Sequence, residues 1–461
     1  MDNKSSSIQK KAFFSATIIL FALLIITGVL TYFIPSGTYQ YEVIDGIKRV
    51  IPDSFAYTNT GNLPFYRIFT APFEVLFADG NTIVIAIILF LLIIGGSIKL
   101  LNKIGVIEYL IFQIVNKFKD KRYLLLSLIT LMFMSVGAFI GVFEEIIPLV
   151  PIMIILSKKL GWDVKIGLGM SVLAAGFGFS AAITNPFTIG VAQGLAELPI
   201  FSGYLYRLII FIIIYFILIT FLIYHAKKVD TGIKEDLTLD ENIKPNKMAI
   251  YWFFGSFSLM IISIILSPFI TFLQDYNLIL IAFYFLIGGI GSGLFSKLKN
   301  KDVFKTFLSG SMDLAPGIIL ILLATGVKQV ITTGEIMDTI LFKVVEAIDG
   351  QSSFIAVIGA FSFTLLANFF IGSGSAKAFI IIPILNPIFD LTNISRQLEV
   401  LAFQLGDGFS NMFYPTNAVL LVALGLAGFS YSKWFKWTVL LQLVVIVMSI
   451  IFLYIGLKVG Y

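Results

Sequence analysis

The chain has 461 residues, of which 58% are hydrophobic and only 13% are charged, and its formal net charge is +5. Soluble globular proteins carry about 25% charged residues, so this composition excludes a water-soluble domain and indicates an all-α polytopic membrane protein. The sequence has no cysteine, which excludes disulfides, thiolate metal sites and cysteine nucleophiles. Its Lys and Arg residues lie in short loops beside apolar runs, so the positive charge does not indicate a nucleic-acid partner.

Apolar runs separated by charged loops predict about nine transmembrane helices. The first run follows Lys10 and Lys11 without a small-residue cleavage pattern, so we expect a retained span rather than a signal peptide. The predicted spans are 12–34, 81–100, 164–194, 204–226, 248–272, 278–297, 314–331, 396–430 and 438–458.

Two further stretches, 122–158 and 353–390, are long, are interrupted near the middle by glycine and polar residues, and have polar sequence at both ends. Each could form a re-entrant hairpin or two full spans. The interruption at 137–145 contains two carboxylates, which are costly against lipid but acceptable where the backbone lines a cavity. This favours two re-entrant hairpins.

Loop charges predict the orientation in a bacterial inner (cytoplasmic) membrane. Lys4, Lys10 and Lys11 place the N-terminus in the cytoplasm, and an odd number of spans then places the C-terminus outside. Basic residues flank the hairpin at 122–158, whereas acidic residues precede the one at 353–390. The first hairpin should therefore open from the cytoplasm and the second from the exterior.

The same pattern occurs twice along the chain at a constant offset of 232 residues, for example 417 − 185 = 232. A repeat of this length, with opposite orientation of its two copies, predicts an inverted repeat of the kind that places a transport site between two related halves. The matched pairs are Pro151 and Pro383, Gly176 and Gly408, Phe177 and Phe409, Thr184 and Thr416, and Asn185 and Asn417.

These features divide the chain into four parts. Residues 1–70 form the first span and an exterior loop, and 71–226 form the first repeat, with its hairpin at 122–158 and a broken helix at 164–194. Residues 227–302 form a cytoplasmic linker and two scaffold spans. Residues 303–461 form the second repeat, with its hairpin at 353–390 and a broken helix at 396–430.

Each broken helix contains a proline beside a threonine and an asparagine, about twenty residues into a run too long for one straight span. Broken helices at membrane depth free carbonyls and amides for ions and polar substrates, although a proline kink with a locally bonded asparagine is the simpler alternative. We assign the breaks to Pro186 and Pro415. The candidate ion-coupling residues are Thr184, Asn185, Asp407 and Thr416.

The hairpin tips and the second broken helix supply the remaining candidates for substrate binding. Adjacent carboxylates in a membrane segment are functional by default, although one of them could instead cap backbone amides. Lys377 could either neutralise a carboxylate such as Asp407 or bind a substrate carboxylate. The full set of substrate-binding candidates is Glu144, Glu145, Asn185, Ser373, Gly374, Ser375, Lys377, Asp407 and Asn417.

Several of these motifs resemble those of the YfcC family, which is grouped with DcuC-type C4-dicarboxylate carriers in the ion transporter superfamily. The resemblance implies a scaffold domain, a transport domain with two opposed hairpins, a homodimer and elevator-like movement. Members include proteins regarded as basic amino acid antiporters and arginine/ornithine exchangers. The motifs are Glu144-Glu145, Asn185-Pro186-Phe187, Ser373-Gly374-Ser375, residues 401–410, and Tyr414-Pro415-Thr416.

The candidate residues favour a secondary transporter for a small cationic amino acid, because three acids (Glu144, Glu145, Asp407) face one obvious intramembrane base, Lys377. The alternative is a carrier of C4-dicarboxylates or other carboxylates. We expect no cofactor, with antiport or coupling to Na⁺ or H⁺, and no assigned Na⁺ ligands. A single histidine and no cysteine argue against an enzyme, and the repeat argues against a channel.

Overall fold

The structure, a computed structural model, describes residues 3–44, 47–51, 54–58, 63–78, 81–232, 245–266, 270, 272–273, 276–348 and 350–461. Three sequence expectations extend beyond this part of the chain. The exterior loop within 1–70 is described in pieces, the linker is described only up to residue 232 and again from 245, and the predicted span 248–272 is described continuously only to residue 266.

The described chain is mostly helical, because a helix satisfies the backbone hydrogen bonds of a long apolar run within the run itself. The helices are α1 (Asn3–Phe33), α2 (Phe65–Glu74), α3 (Asn81–Lys103), α4 (Val106–Phe118), α5 (Arg122–Ile140), α6 (Val150–Lys159), α7 (Val164–Leu168), α8 (Ala174–Ser180), α9 (Val191–Leu195), α10 (Tyr204–Lys228), α11 (Lys247–Leu266), α12 (Asn277–Leu294), α13 (Asn300–Leu314), α14 (Pro316–Thr333), α15 (Met337–Ile348), α16 (Ser353–Ala367), α17 (Gly374–Leu391), α18 (Arg396–Ser410), α19 (Ala418–Leu426) and α20 (Tyr431–Val459).

Six helical runs among the described residues are long and apolar enough to cross a membrane: Val84–Lys103, Val106–Ile140, Tyr204–Lys228, Lys247–Ile264, Asn300–Thr333 and Tyr431–Val459. Shorter apolar helices occupy Thr17–Phe33, Val164–Ser180, Leu278–Leu294 and Ser353–Ala367. The chain is therefore a membrane protein by its helices, whereas the count of nine spans stays a prediction. The expected hairpin boundary at residue 122 is marked only by a single 3-10 turn, Lys119–Lys121.

The all-α class needs one correction, in the segment between α1 and α2. Here four short strands form two antiparallel pairs, β1 (Gly37–Thr38) with β4 (Ala56–Tyr57), and β2 (Tyr41–Ile44) with β3 (Ile47–Val50). The physical reason is local composition, because β-branched residues in β2 and β3 favour the pleated conformation. Asp338 accepts hydrogen bonds from the backbone of Tyr39 (3.0 Å) and from the Tyr41 hydroxyl, which ties these strands to α15.

Each half of the chain contains a helix–loop–helix unit where a hairpin was predicted. α5 and α6 are joined through 141–149, which includes the 3-10 turn Glu144–Leu149, and α16 and α17 are joined through 368–373. We refer to these connections as tip 1 and tip 2. Gly141 ends α5 with a φ of +81°, a left-handed conformation that glycine adopts without strain. The re-entrant character of both units stays a prediction.

The helical elements recur at the repeat offset. α7 and α18 begin at Val164 and Arg396, 232 residues apart (396 − 164), and α5 and α16 begin 231 residues apart (353 − 122). Equivalent positions also meet in space, since the rings of Phe177 and Phe409 lie 5.3 Å apart in an edge-to-face arrangement (409 − 177 = 232). The two copies therefore touch one another at a point common to both.

The contact between α8 and α18 is reciprocal in the way that a two-fold relation requires. A side chain at Gly176 would lie 2.6 Å from Met412, and a side chain at Gly408 would clash with Ser180. The offset converts one contact into the other, because 176 + 232 = 408 and 180 + 232 = 412. Glycine at both positions lets the two helices pack closely, and the crossing lies in the protein interior.

Candidate functional site

The first helix break is built by Asn185. α8 ends at Ser180, and helical structure resumes at Pro186 in a π-helical segment, Pro186–Gly190. The Asn185 side-chain oxygen accepts hydrogen bonds from the backbone N–H groups of Phe187 (2.9 Å) and Thr188 (3.3 Å), so it caps the new helical segment. Tip 1 lies against this cap, because a side chain at Gly141 would clash with the same oxygen.

The second helix break has the same design. α18 ends at Ser410, α19 begins after Asn417, and the Asn417 side-chain oxygen accepts from the backbone N–H of Leu420 at 3.0 Å. Its amide donates to the side-chain oxygen of Asn411 at 2.9 Å. Both asparagines predicted in the repeat are therefore helix caps, and Asn417 has a buried polar partner in addition.

The two repeat threonines connect the breaks to the tips. The Thr184 hydroxyl donates to the carbonyl of Phe139 at 3.1 Å, and the Thr416 hydroxyl donates to the carbonyl of Phe369 at 2.8 Å. Phe139 lies at the end of the helix that precedes tip 1, and Phe369 lies at the start of tip 2. The hydroxyl oxygens retain lone pairs, so they could still act as ion ligands.

A buried ion pair lies below tip 2. The Lys377 ammonium contacts the carboxylate oxygen Oδ1 of Asp407 and the side-chain oxygen of Asn368, and the lysine and the aspartate are fully buried. The Asn368 amide donates to the Asp407 carbonyl (2.9 Å), the Ser410 hydroxyl (2.6 Å) and the Asn411 side chain (3.0 Å). Of the two roles considered for Lys377, the structure places it as the partner that neutralises a carboxylate.

Three buried polar atoms, one in this pair and two at the first helix break, have no hydrogen-bond partner within the described part of the chain. They are Oδ2 of Asp407, Oγ1 of Thr188 and Nδ2 of Asn185, and all three residues are fully buried. Gly374 lies beside Asp407 and Thr188, because a side-chain carbon there would be 2.9 Å from Oδ2 of Asp407 and 2.7 Å from the methyl of Thr188. Asn185 adjoins them through the backbone N–H of Thr188, which its side-chain oxygen accepts at 3.3 Å. Buried polar atoms are normally satisfied, so this cluster is chemically suited to a polar ligand. We call it the Gly374 cluster.

The tip 1 carboxylates differ from each other. Glu145 is partly buried, and its carboxylate accepts a hydrogen bond from the backbone N–H of Phe143 at 2.9 Å, which is the capping role considered from the sequence. Glu144 is exposed, and among the described residues no hydrogen bond or ion pair joins it to the Gly374 cluster. The two therefore do not act as an equivalent pair.

The two serines at tip 2, Ser373 and Ser375, lie at the N-terminus of α17. The Ser373 hydroxyl accepts a long hydrogen bond from the backbone N–H of Ala376 (3.4 Å) and lies 3.3 Å from the Ser375 hydroxyl. Neither serine is buried, in contrast to Lys377 a half-turn further on. The structure thus brings Asn185, Gly374, Lys377 and Asp407 together and leaves the serines at the rim.

Sequence reasoning missed three polar residues of this region. Thr188 belongs to the cluster, and Asn368 and Asn411 hold the ion pair and the second cap in one network. Each is a single polar residue within an apolar run, which is a functional signal in a membrane segment. That signal was available in the sequence, but only the recurring threonine and asparagine positions stood out.

Two further cations were also missed. Arg207 is buried, and its guanidinium donates to the carbonyls of Ile183 (3.1 Å) and Phe201 (3.2 Å) and to the hydroxyl of Tyr461 (2.9 Å), with no carboxylate partner in the described chain. Lys328 lies within the apolar helix α14 and is exposed. Lys377 is therefore not the sole basic residue inside an apolar helix.

Comparison with known proteins gives similarity over nearly the whole chain. A protein of Escherichia coli with the provisional name basic amino acid antiporter YfcC is 28% identical over 462 residues, 91% of each chain. An uncharacterized protein of Haemophilus influenzae is 24% identical over 491 residues, 94% of each chain.

Two transport proteins of known structure align with most of this chain, at low sequence identity and low TM-score. The YdaH transporter of Alcanivorax borkumensis covers 97% of this chain and 99% of its own, with 14% identity and a TM-score of 0.44. MtrF of Neisseria gonorrhoeae, from a class of antimetabolite efflux pumps, covers 96% and 95%, with 16% identity and a TM-score of 0.43. Both scores are below 0.5, so neither structure defines the fold of this chain.

The match to a protein family spans both helix breaks, both tips and the Gly374 cluster. The model of the DcuC family, described as the C4-dicarboxylate anaerobic carrier, matches residues 13–458. The chain therefore belongs to the DcuC family of membrane carriers.

Proposed function

We propose that this protein is a secondary active transporter for a small amino acid of the cationic arginine, ornithine or lysine type. The observation that supports this most strongly is the Gly374 cluster. It combines three buried groups without a hydrogen-bond partner among the described residues: a carboxylate oxygen of Asp407, an amide donor of Asn185 and a hydroxyl of Thr188. An α-amino acid needs a hydrogen-bond acceptor for its ammonium group and neutral donors for its carboxylate, and the second oxygen of the paired Asp407, the amide and the hydroxyl supply both.

The cationic side chain of the substrate would be held near tip 1. Gly141 touches the Asn185 cap, and Glu144 follows Gly141 by three residues. The α-carbons of Gly141 and Glu144 are therefore at most about 11 Å apart. Because Glu144 is exposed, its carboxylate needs no buried counter-ion, and at this distance from the cap it can face the guanidinium or ammonium group of a bound substrate. Glu145, as a backbone cap, would position this tip rather than bind substrate.

We further propose alternating access by an elevator-like movement. The reciprocal contacts at Gly176 and Gly408 support a two-fold relation between the repeats 71–226 and 303–461, and opposite loop charges support their inversion. In this account the units at 122–158 and 353–390 are re-entrant hairpins of a transport domain. The protein is a homodimer in the bacterial inner membrane, with its N-terminus in the cytoplasm and its C-terminus outside.

Coupling is proposed through antiport or through Na⁺ or H⁺. The oxygens of Thr184 and Thr416 retain lone pairs beside the two breaks, and Asn185 and Asp407 lie in the cluster between them. Hydroxyl, carbonyl and carboxylate oxygens are suitable ligands for a hard cation.

A C4-dicarboxylate is the second candidate substrate. Two observations favour it, the description of the DcuC family and the presence of Arg207 and Lys328 without carboxylate partners in the described chain. Lys377 does not contribute to this case, because Asp407 already neutralises it. Lys377 and Asp407 neutralise each other, so the described residues of the cluster offer no net positive charge to a dianion.

Counterflow in proteoliposomes distinguishes these candidates. We expect labelled arginine, lysine or ornithine to exchange with internal amino acid, and succinate and malate to fail, with a sodium gradient either present or absent. Asp407→Asn should abolish exchange and Glu144→Gln should weaken it, while the exposed control Asp313→Asn should behave as wild type. Exchange of succinate but not arginine would overturn the substrate, and full activity of Glu144→Gln, Glu145→Gln and Asp407→Asn would overturn the site.

A further inference from the structure

A buried carboxyl outside the Gly374 cluster has no hydrogen-bond partner in the part of the chain that the structure describes. Glu399 lies in the first turns of α18, its exposed fraction is 0%, and neither of its carboxylate oxygens has a hydrogen-bond partner among the described residues. An ionised carboxylate in such a place would lose its hydration without compensation. The start of a helix favours an anion, but by much less than that cost. Burial without a partner therefore favours the neutral, protonated form of the Glu399 carboxyl.

The nearest cation cannot supply the missing counter-charge. Arg396, one turn away, donates from Nε and Nη2 to Asp390 (3.0 and 2.6 Å) and from Nη1 to Glu197 (3.0 Å) and to the carbonyl of Ala196 (3.2 Å). One guanidinium and two carboxylates have a net charge of +1 − 2 = −1. This surface group therefore offers Glu399 no net positive charge, and it favours the neutral carboxyl.

The other elements around Glu399 do not change this result. α18 packs against α8, α9, α16, α17, α20 and the segment Pro186–Gly190. Lys377 on α17 is already paired with Asp407, and on α20 Lys458 is exposed and lies over the ring of Tyr454 at 5.6 Å. The charged residues on these packed elements are Lys377, Asp390, Lys433, Lys436 and Lys458.

A proton fits this position better than a metal ion. A sodium or divalent ion needs several oxygen ligands, whereas a proton needs one oxygen. In the part of the chain that the structure describes, no three Asp, Glu or His side chains are grouped to hold a metal. Glu399 also lies on the same helix as Asp407, eight residues earlier, which is about 12 Å along the helix axis. In the proposed elevator-like movement, a proton on Glu399 would therefore travel with the proposed substrate site.

We propose that Glu399 is a proton-carrying residue that couples substrate movement to a proton gradient; this rests on the proposed transport function. In the buried state the carboxyl keeps its O–H bond. When movement of α18 frees Arg396 from Glu197 or Asp390 and admits water, that bond breaks, the proton passes to water, and the electron pair stays on the carboxylate. Arg396 then compensates the new charge. Reversal of these steps on the other side of the membrane reloads the carboxyl.

The test compares two assays on the same proteoliposomes. Counterflow at equal pH on both sides measures exchange. Accumulation driven by a pH difference of about one unit measures coupling. With one proton moved per substrate, that pH difference sustains up to about a tenfold concentration ratio of substrate. Glu399→Gln resembles the protonated carboxyl, so we expect counterflow within about twofold of wild type and an accumulation ratio near 1. The exposed control Glu346→Gln should retain both.

Other results overturn specific parts of the account. Wild-type accumulation that follows a sodium gradient and ignores the pH difference overturns proton coupling, as does normal pH-driven accumulation by Glu399→Gln. Failure of wild-type counterflow with every substrate overturns the proposed function instead. If Glu399→Gln does not fold, accumulation by Glu399→Asp and infrared spectroscopy of that variant test whether Glu399 carries the proton. Retained accumulation and a protonated-carboxyl band that shifts in Glu399→Asp support the proposal, and an unchanged band overturns it.

Discussion

The two halves of the chain place different chemistry at equivalent positions. Around tip 2, Gly374 lies beside Thr188 and Asp407, two polar residues with unpartnered buried atoms. Applying the 232-residue offset to these positions gives three apolar residues (374 − 232, 188 + 232 and 407 − 232): Val142, Leu420 and Ala175. All three are buried. The sequence pattern recurs at the 232-residue offset, but among the described residues only one of the two matched places has the groups of a polar site.

The same contrast continues along the two crossing helices. Ser410 and Asn411 on the second copy belong to the network around the ion pair, whereas the equivalent residues of the first copy are Gly178 and Phe179. Reciprocal helix packing can give a carrier two opposed access routes. A single polar cluster then lets both routes lead to the same ligand, which is what alternating access requires.

Breaking the ion pair should produce the largest effect. Lys377→Met leaves the Asp407 carboxylate buried without its cation, and we expect a loss of about 3–5 kcal/mol of stability. The double variant Lys377→Met/Asp407→Leu removes both charges and should recover most of it, while transport stays lost. Thermal unfolding in detergent and counterflow measure the two effects. Transport by the double variant would show that the polar copy is not the site.

Filling the Gly374 cluster should stop transport without unfolding the protein. In Gly374→Ala the added methyl would lie 2.9 Å from Oδ2 of Asp407 and 2.7 Å from Thr188, so we expect counterflow to fall by about a hundredfold. Gly372→Ala is the matched control in the same tip, because a side chain there meets nothing within 4 Å. Equal activity of the two variants would contradict the position of the site.

Removing one hydroxyl should weaken substrate binding selectively. The Thr188 hydroxyl has no partner within the described chain, so Thr188→Val should leave stability unchanged and raise KM by about tenfold, the value of one hydrogen bond to a charged ligand. Thr130→Val is the control, since that buried hydroxyl donates to the carbonyl of Leu126 at 2.8 Å and faces no ligand. The prediction fails if Thr130→Val raises KM as much as Thr188→Val.

The smallest expected effect concerns the ion pair between Arg122 and Asp230, away from the Gly374 cluster. The Arg122 guanidinium binds both oxygens of Asp230 (2.8 and 2.5 Å), and Tyr123 and the backbone of Gly232 also donate to that carboxylate. Burial opposes ionisation of Asp230, but these hydrogen bonds outweigh it and lower its pKa below the usual range. We expect Asp230→Asn to cost about 1–2 kcal/mol and to leave KM unchanged.

The pH dependence of this contact has a definite sign. Because the pKa of Asp230 is lowered by folding, its stabilisation is present above the ordinary aspartate pKa of about 3.9 and is lost as the pH falls through the lower value of the folded state. The difference in Tm between wild type and Asp230→Asn should therefore shrink on acidification. A difference that grows instead would contradict this assignment, and Asp313→Asn, in an exposed pair, should show almost none.

The helix breaks were predictable because their causes are local. A proline removes a backbone donor, and an asparagine beside it can cap the next helix, so the breaks at Asn185 and Asn417 could be located from the sequence, with capping as one of the two roles considered. The family could be recognised as well, because its motifs are contiguous. The strands between α1 and α2 were missed, since short runs of mixed polarity carry only a weak β signal.

The partners of the charged side chains depend on packing and could not be read from spacing. For Lys377 the sequence left two roles open, pairing with a carboxylate such as Asp407 or binding substrate, because the two residues are 30 positions apart and meet where α17 packs on α18. Thr188 is one threonine among many until Gly374 is placed beside it. The isolation of Glu399 results from the elements packed around α18 and from the two carboxylates that occupy Arg396.

Direct binding tests the central claim, that one polar cluster at tip 2 binds an amino acid. Calorimetric titration of the purified protein with arginine and with succinate needs no assumption about coupling or orientation. We predict that wild type and Gly372→Ala bind arginine with the same affinity, that Gly374→Ala does not bind it, and that succinate binds to none of them. Arginine binding to Gly374→Ala at wild-type affinity, or succinate binding that Gly374→Ala abolishes, would contradict the account.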